Sequence, residues 1–309
     1  MVVTHGTLAP GTGGHALTVG NFDGVHLGHR AMLERVVQKA RALGVRSCVL
    51  TFEPHAREFF APREAPARLA RLRDKLELFA EAGIDRAHVA RFDARLASVP
   101  AERFIDEMLV NGLGTKWLLV GRDFRFGAKR AGDYALLERV ARERGFALEA
   151  MPDVAHEGAR VSSSAVRAAL AEGDFARASR LLGRRYAISG RVAHGERVGR
   201  ALGFPTANIV LRRRPPLTGV FVVEAELEET HAKLQGAASV GRRPTLRSDA
   251  APLLEVHLLD FDAPIYGRHL RVAFLEKLRE QQKYDGLDAL REAIAQDVER
   301  TREYFRNHG

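Results

Sequence analysis

The chain changes its hydrophobic pattern once, near Leu182, and that change constrains the fold more than any other feature. Before it, apolar strand-like runs alternate with helical periodicity. Strands are expected over 16–19, 47–52, 87–91, 117–120 and 146–151, and helices over 27–43, 69–82, 101–111 and 134–144. Such alternation implies a parallel sheet covered on both faces, with ligands at the carboxyl ends of the strands. Beyond it come short β-rich segments broken by Gly and Pro, over 187–192, 207–210, 220–227, 237–240, 254–259 and 270–274. That spacing reads as a small antiparallel barrel, and one amphipathic helix over 287–305 ends the chain. Two domains are therefore expected, 1–183 and 184–309, which suits 309 residues better than a single core.

Composition narrows the setting. Hydrophobic residues make up 46%, a globular proportion, and no apolar stretch approaches the length that spans a bilayer. The N-terminus lacks a basic region followed by an apolar core, so no secretory signal is expected. The one cysteine, Cys48, falls in an expected buried strand, which excludes an internal disulfide and fits a reducing cytoplasm. Net charge is +9, which suits nucleic acid or polyphosphate handling. Because the arginines (Arg35, Arg41, Arg68, Arg71, Arg73, Arg139, Arg142, Arg144) are spread through helices, they read as a solvated face, and no nucleic-acid partner is expected.

The strongest local motif follows the first expected strand: V-G-N-F-D-G-V-H-L-G-H-R at 19–30. Its His26 and His29 stand three apart where the helical pattern begins, on one side of the first turn. Unpaired amides and the positive end of the helix dipole favour an anion there. Gly28 between them allows a phosphate close to the backbone. Two histidines at such a site suggest nucleotidyl transfer, since developing phosphate charge needs positioned donors. The pair also fits zinc, but no third ligand stands at helical or loop spacing. Ordinary helix-start histidines remain a further reading. The glycines at 11, 13 and 14 precede the strand, so they read as a loop and not a dinucleotide fingerprint.

A second candidate is G-R-A-L-G-F-P-T-A-N at 199–208. Gly199 and Gly203 bound a flexible flap that includes Arg200, and Pro205 fixes the backbone ahead of Thr206 and Asn208. Two apart on an extended strand, these residues point the same way and offer hard oxygen donors suited to Mg²⁺ on ATP phosphates. A plain Gly-Pro turn into a strand is the alternative. Glu255 alternates with apolar residues in L-L-E-V-H-L-L. It is either solvent-facing or, facing a pocket, an acceptor for a hydroxyl proton.

In order along the chain, these motifs resemble the bifunctional bacterial FAD synthetases, an FMN adenylyltransferase module followed by a riboflavin kinase module. The resemblance runs from about 17 to 305. In the first half it rests on G-N-F-D-G-V-H-L-G-H, T-F-E-P-H at 51–55, V-G-R-D-F-R-F-G at 120–127 with Arg130 and Gly132, and V-S-S-S-A-V-R at 161–167. In the second it rests on H-G-E-R-V-G-R-A-L-G-F-P-T-A-N, V-G-R-R-P-T, L-E-V-H-L-L-D-F and I-Y-G.

The resemblance implies a Rossmann-like α/β nucleotidyltransferase domain and a small antiparallel barrel kinase with a C-terminal helix. It implies that His26 and His29 stabilise charge on the ATP α-phosphate, and that Gly20, Phe22, Asp23, Gly24 and Gly28 of the same loop bind the ATP. Ser162, Ser163, Ser164 and Arg167 would hold the triphosphate, although a serine N-cap explains the serines equally. Asp123 and Phe124, and Arg279 in the second module, would border the flavin. Thr206 and Asn208 would bind Mg–ATP beside Gly199, Arg200 and Gly203, and Glu255 would be the base on the ribityl hydroxyl. ATP, riboflavin and FMN are the expected substrates.

The chain departs from the family pattern at Ala56, in place of a second proline, and at Leu246, in place of phenylalanine. It also has Gln281 for glutamate, beside Glu280, and Tyr284 for phenylalanine, in a segment that would border the flavin. A nucleotidyltransferase for another phosphorylated acceptor would leave the barrel motif unexplained, and a nucleic-acid module would give His26, His29 and Glu255 no purpose.

Overall fold

The computed structural model describes residues 1–6, 13–156, 158–195, 198–241 and 251–308. Gly11, the pair Glu196 and Arg197, and the segment 242–246 with its R-R-P-T motif and Leu246 lie outside the described residues. The chain packs as two compact units, 1–66 with 70–162, and 67–69 with 163–309.

The first unit is built on a six-stranded parallel sheet. Its strands are β1 (Val2–His5), β2 (His15–Val19), β3 (Arg46–Glu53), β4 (Arg86–Arg91), β5 (Thr115–Gly121) and β6 (Ala147–Met151), in the order β1-β4-β3-β2-β5-β6. The strand order reverses between β2 and β5, and a ligand crevice in an open α/β sheet lies at such a point. The loops after β2 and β5, where two of the sequence motifs stand, leave neighbouring strand ends there.

Period-two alternation splits the core between the faces. Ala16, Val49, Ala87 and Trp117 pack under α1 (Leu27–Leu43), with Phe79 from the later helix 72–81. Leu17, Val19, Cys48 and Leu50 pack on the opposite side, against the segments 101–112 and 134–144. Helix α1 stops where Gly44 takes a left-handed conformation, φ 63°, and its amide returns to the carbonyls of Ala40 and Arg41. After α2 (Ala56–Phe60) and α3 (Leu72–Glu81) come the short α4 (Ala94–Ala97) and α5 (Ala101–Phe104), and then α6 (Tyr134–Arg144). The helix expected over 101–111 starts as α5 and continues as a wider π-helix, Ile105–Gly112. A two-stranded ribbon, β7 (Ala155–His156) with β8 (Ala159–Arg160), leads out of the unit.

In the second unit, α7 (Ser163–Glu172) and α8 (Phe175–Leu182) precede six antiparallel strands. These are β9 (Ala187–Arg191), β10 (Ala207–Val210), β11 (Gly219–Leu227), β12 (Ala232–Gly241), β13 (Leu253–Leu258) and β14 (His269–Arg279), with α9 (Val198–Ala201) between β9 and β10. Their order is β10-β13-β12-β11-β14-β9. The barrel nearly closes where the Ala193 amide donates to the Asn208 carbonyl. Leu254, Val256, Phe221, Val223 and Phe274 fill the interior. Phe175 of α8 packs on this cluster, edge-on to Phe221 at 5.8 Å and stacked on Phe274 at 6.2 Å. The C-terminal α10 (Leu287–His308) lies on the outer face, where Tyr304 and Phe305 cover Val220, Val222 and Leu278.

Candidate active sites

The first centre is the turn from Gly20 into α1. Phe22, Gly24 and Val25 all lie in the left-handed region, at φ 49°, 82° and 41°. A β-branched residue pays heavily for that conformation, so the surroundings must hold the turn in place. Asp23, buried, accepts the Ala70 amide at 3.2 Å. The Phe22 ring meets Phe79 edge-on at 5.4 Å and lies 5.1 Å from the His29 ring.

The geometry brings His26 and His29 together: their rings stack with centroids 3.7 Å apart and planes at 17°. His26 is the N-cap of α1, and its Nδ1 accepts the His29 amide at 3.3 Å. One of the helix-start amides expected to meet an anion is therefore used by a side chain. With Nδ1 accepting, neutral His26 carries its proton on Nε2, which stays a donor. A Cβ on Gly28 would stand 3.2 Å from the His26 ring, so glycine there makes room for the imidazole. Burial, then His26, then the charge of Lys75 hold the His29 imidazole well below the usual histidine range. Its Nδ1 is enclosed with no hydrogen-bond partner among the described residues.

At the end of β5, Asp123 is exposed and accepts from Arg160 at 3.3 Å, while Phe124 stacks on Phe126 at 5.4 Å. Ser162 is the last residue of the first unit. Ser163 and Ser164 open α7 in the second unit, and Arg167, one turn on, donates from Nε to the Ala67 carbonyl at 2.6 Å.

The second centre is a row across three strands. Asn208 on β10 pairs with Glu255 on β13, and Glu255 pairs with Ser239 on β12, so the three share one face of the sheet. Leu254 and Val256 point into the barrel, which leaves Glu255 half-buried on the outer face. Gln281 donates to the Ser239 hydroxyl at 3.0 Å and so reaches the same row. Asn208 is buried. Its Nδ2 donates to the Thr206 carbonyl at 3.2 Å, and its Oδ1 has no hydrogen-bond partner among the described residues.

Thr206 ends the approach to β10. Ahead of it the Phe204 amide donates to the Gly199 carbonyl at 2.7 Å, and a Cβ on Gly199 would fall 2.5 Å from the Phe204 carbonyl oxygen. Arg200 accepts the Gly203 amide on its carbonyl, and Gly203 is left-handed at φ 90°. His257 holds this segment from β13, with its Nδ1 2.9 Å from the Pro205 carbonyl and its ring edge-on to Phe204. Arg279 is engaged elsewhere: it forms a two-pronged ion pair with Asp297 of α10, at 2.9 and 2.5 Å. Sequence reasoning missed Lys75, Ser239 and His257. Each reads as an ordinary helix or strand residue, so no local signal marks them.

A family model described as FAD synthetase matches residues 10–165, and one described as riboflavin kinase matches residues 182–305. A parallel-sheet nucleotidyltransferase unit followed by a kinase barrel is the class these matches and the fold define. The bifunctional riboflavin kinase/FMN adenylyltransferase of Pseudomonas fluorescens is 49% identical over 292 residues, 94% of this chain and 93% of that one. That of Escherichia coli (strain K12) is 47% identical over 293 residues, again 94% and 93%. A crystal structure described as a macrolide-efflux protein from Streptococcus pneumoniae shares the fold, with a TM-score of 0.79 at 28% identity over 98% of this chain and 99% of that one. The chain belongs to the family of bifunctional riboflavin kinase/FMN adenylyltransferases.

Proposed function

We propose that this chain carries out both reactions of its family with two separate sets of side chains, the adenylyl-transfer set before Leu182 and the kinase set after it. The second unit phosphorylates riboflavin to FMN with ATP. The first transfers the adenylyl group of a second ATP to FMN, giving FAD and pyrophosphate. The observation that carries this reading is the stacked His26–His29 pair at the start of α1, at the switch point of a parallel sheet.

In adenylyl transfer an FMN phosphate oxygen bonds to the α-phosphorus as the bond to pyrophosphate breaks. Negative charge grows on the α-phosphate oxygens, and the imidazole N–H groups of His26 and His29 offset it without rearranging. Gly20, Phe22, Asp23, Gly24 and Gly28 shape the turn that carries them. Ser162, Ser163, Ser164 and Arg167 take the triphosphate and then the leaving pyrophosphate, and Asp123 and Phe124 border the flavin.

In the kinase unit Glu255 accepts the proton of the ribityl hydroxyl as that oxygen bonds to the γ-phosphorus and the bond to the leaving ADP breaks. The residues beside it fit a magnesium ion: Asn208 offers a buried amide oxygen with no protein partner among the described residues, and the Thr206 hydroxyl is a second hard donor. When bound, the ion would offset phosphate charge. Gly199, Arg200 and Gly203 form the backbone segment over the phosphates, and Arg279, fixed by Asp297, supports the flavin side.

The division between the activities falls at the Leu182-Gly183-Arg184 step, giving modules 1–183 and 184–309. Both act in the cytoplasm on small molecules, with no nucleic-acid partner. Among the described residues no helix is long and apolar enough to cross a membrane.

Incubating the full chain with riboflavin and Mg–ATP and separating the flavins by chromatography tests the reading. FMN should form first and FAD second. Formation of neither, by a folded protein, would remove it.

A further inference from the structure

Lysine is among the residues least often buried completely, because an enclosed ammonium is costly unless hydrogen bonds and nearby dipoles replace its water. Lys75, on the face of α3 turned to the sheet, is 0% exposed. Its ammonium donates to the Asn21 carbonyl at 3.1 Å and to the Thr51 hydroxyl at 3.4 Å. The Thr51 hydroxyl donates in turn to the same Asn21 carbonyl at 3.5 Å. Three segments far apart in sequence thus meet on one oxygen: helix α3, the end of β3, and the residue just ahead of left-handed Phe22.

One helical turn along α3, Phe79 touches the Phe22 ring. The helix therefore grips the turn twice, through an ammonium on its backbone and through an aromatic ring on its side chain. The gripped turn is the strained one that leads into the N-cap His26, and its Phe22 ring lies against His29. A shift of the Asn21 carbonyl would pass directly into the placement of both imidazoles.

We infer that Lys75 is a positioning residue for adenylyl transfer, holding the 20–25 turn so that His26 and His29 meet the α-phosphate where charge develops. The inference rests on the roles proposed above for the two histidines. It explains why a long cation is buried under a turn whose left-handed Phe22 and Val25 need outside contacts to stay in place. A reacting group misplaced by about 1 Å loses roughly a hundredfold in rate, so the grip has a measurable consequence.

The test uses the full chain, whose riboflavin kinase activity reports on the folded second unit. Lys75→Met keeps the length of the side chain and removes the ammonium. The turnover number for FAD formation from supplied FMN should fall about tenfold to a hundredfold. The Michaelis constants for ATP and FMN should stay within about twofold, and FMN formation should be unchanged. Lys75→Arg should recover part of the lost turnover. Thr51→Val, which buries no new charge, should lower the same turnover in the same direction, and it keeps the test open if Lys75→Met fails to fold.

Adenylylation by folded Lys75→Met at the normal turnover, or losses that only track the unfolded fraction in a thermal melt, would overturn the inference. His29→Ala, measured alongside, separates the two levels. If it forms FAD normally, the assigned chemistry fails. If it is crippled while Lys75→Met and Thr51→Val are not, only the grip fails.

Discussion

His29 lies against a turn in which Phe22 and Val25 are both left-handed, whereas Glu255 stands in the middle of a regular strand. In the first unit the strain lies next to the histidines proposed to act, and a buried aromatic and a buried lysine from α3 contact it. In the second the proposed site is a row across regular strands, and the tight backbone lies ahead of β10, where Gly199 meets Phe204. The difference fits the proposed chemistry. Imidazoles that offset charge at one point gain from being fixed beforehand. A proton acceptor on an open strand needs its substrate brought to it, by a segment that is free to lie over the phosphates.

If the two centres are independent, each should be removable alone. Glu255→Gln keeps the shape and loses the proton acceptor, so FMN-forming turnover should fall about a hundredfold to ten-thousandfold while FAD still forms from supplied FMN. Steady-state kinetics with each flavin would show it, and near-normal kinase turnover would make Glu255 a solvated strand carboxylate. His29→Ala should give the mirror image, with FAD formation reduced by about a hundredfold or more and FMN formation intact. Equal loss of both activities would point to a folding defect instead.

Arg167→Lys should raise the ATP Michaelis constant of adenylylation several-fold, since lysine lacks the forked donor. An unchanged constant would remove Arg167 from the triphosphate site. The module boundary can be sharpened by two truncations, one starting at Arg184 and one at Ser163. Both should phosphorylate riboflavin. The shorter one should melt several degrees lower, because it loses Phe175 from the Phe221–Phe274 cluster. Equal melting temperatures would show that α8 adds nothing to the barrel.

The smallest effect concerns acid stability of the first unit. Burial, then the charges of Arg86 and His5, lower the His88 imidazole to about 4 from its ordinary 6.5. Its contribution is complete above pH 6.5 and is lost as pH falls from 6.5 towards 4, because the unfolded chain takes up the proton first. His88→Asn should flatten the fall in melting temperature over that window. An unaltered slope would place the acid sensitivity elsewhere.

Elements with strong local signals were legible. Helices 27–43 and 134–144 stand where periodicity puts them, and each is closed by a left-handed glycine, Gly44 and Gly145. The barrel strands fall in the expected segments, although β12 and β14 run longer because polar residues continue their pairing. Strand β1 was not legible: four residues pair in parallel with β4, more than eighty residues on. Nor was the π-helix after Phe104, since a run of apolar residues looks the same whether the turns are tight or wide.

By itself the sequence determined the two architectures and their order, because hydrophobic period, turn residues and short motifs act over a few neighbours. Only the tertiary structure decided that Lys75 lies buried beneath the Gly20–Val25 turn and that Asn208, Glu255 and Ser239 form one row. A lysine on an amphipathic helix reads as solvated until a sheet closes over it. Strand register is likewise fixed only when Leu254 and Val256 find the barrel interior, since a slip of one residue would turn Glu255 inward.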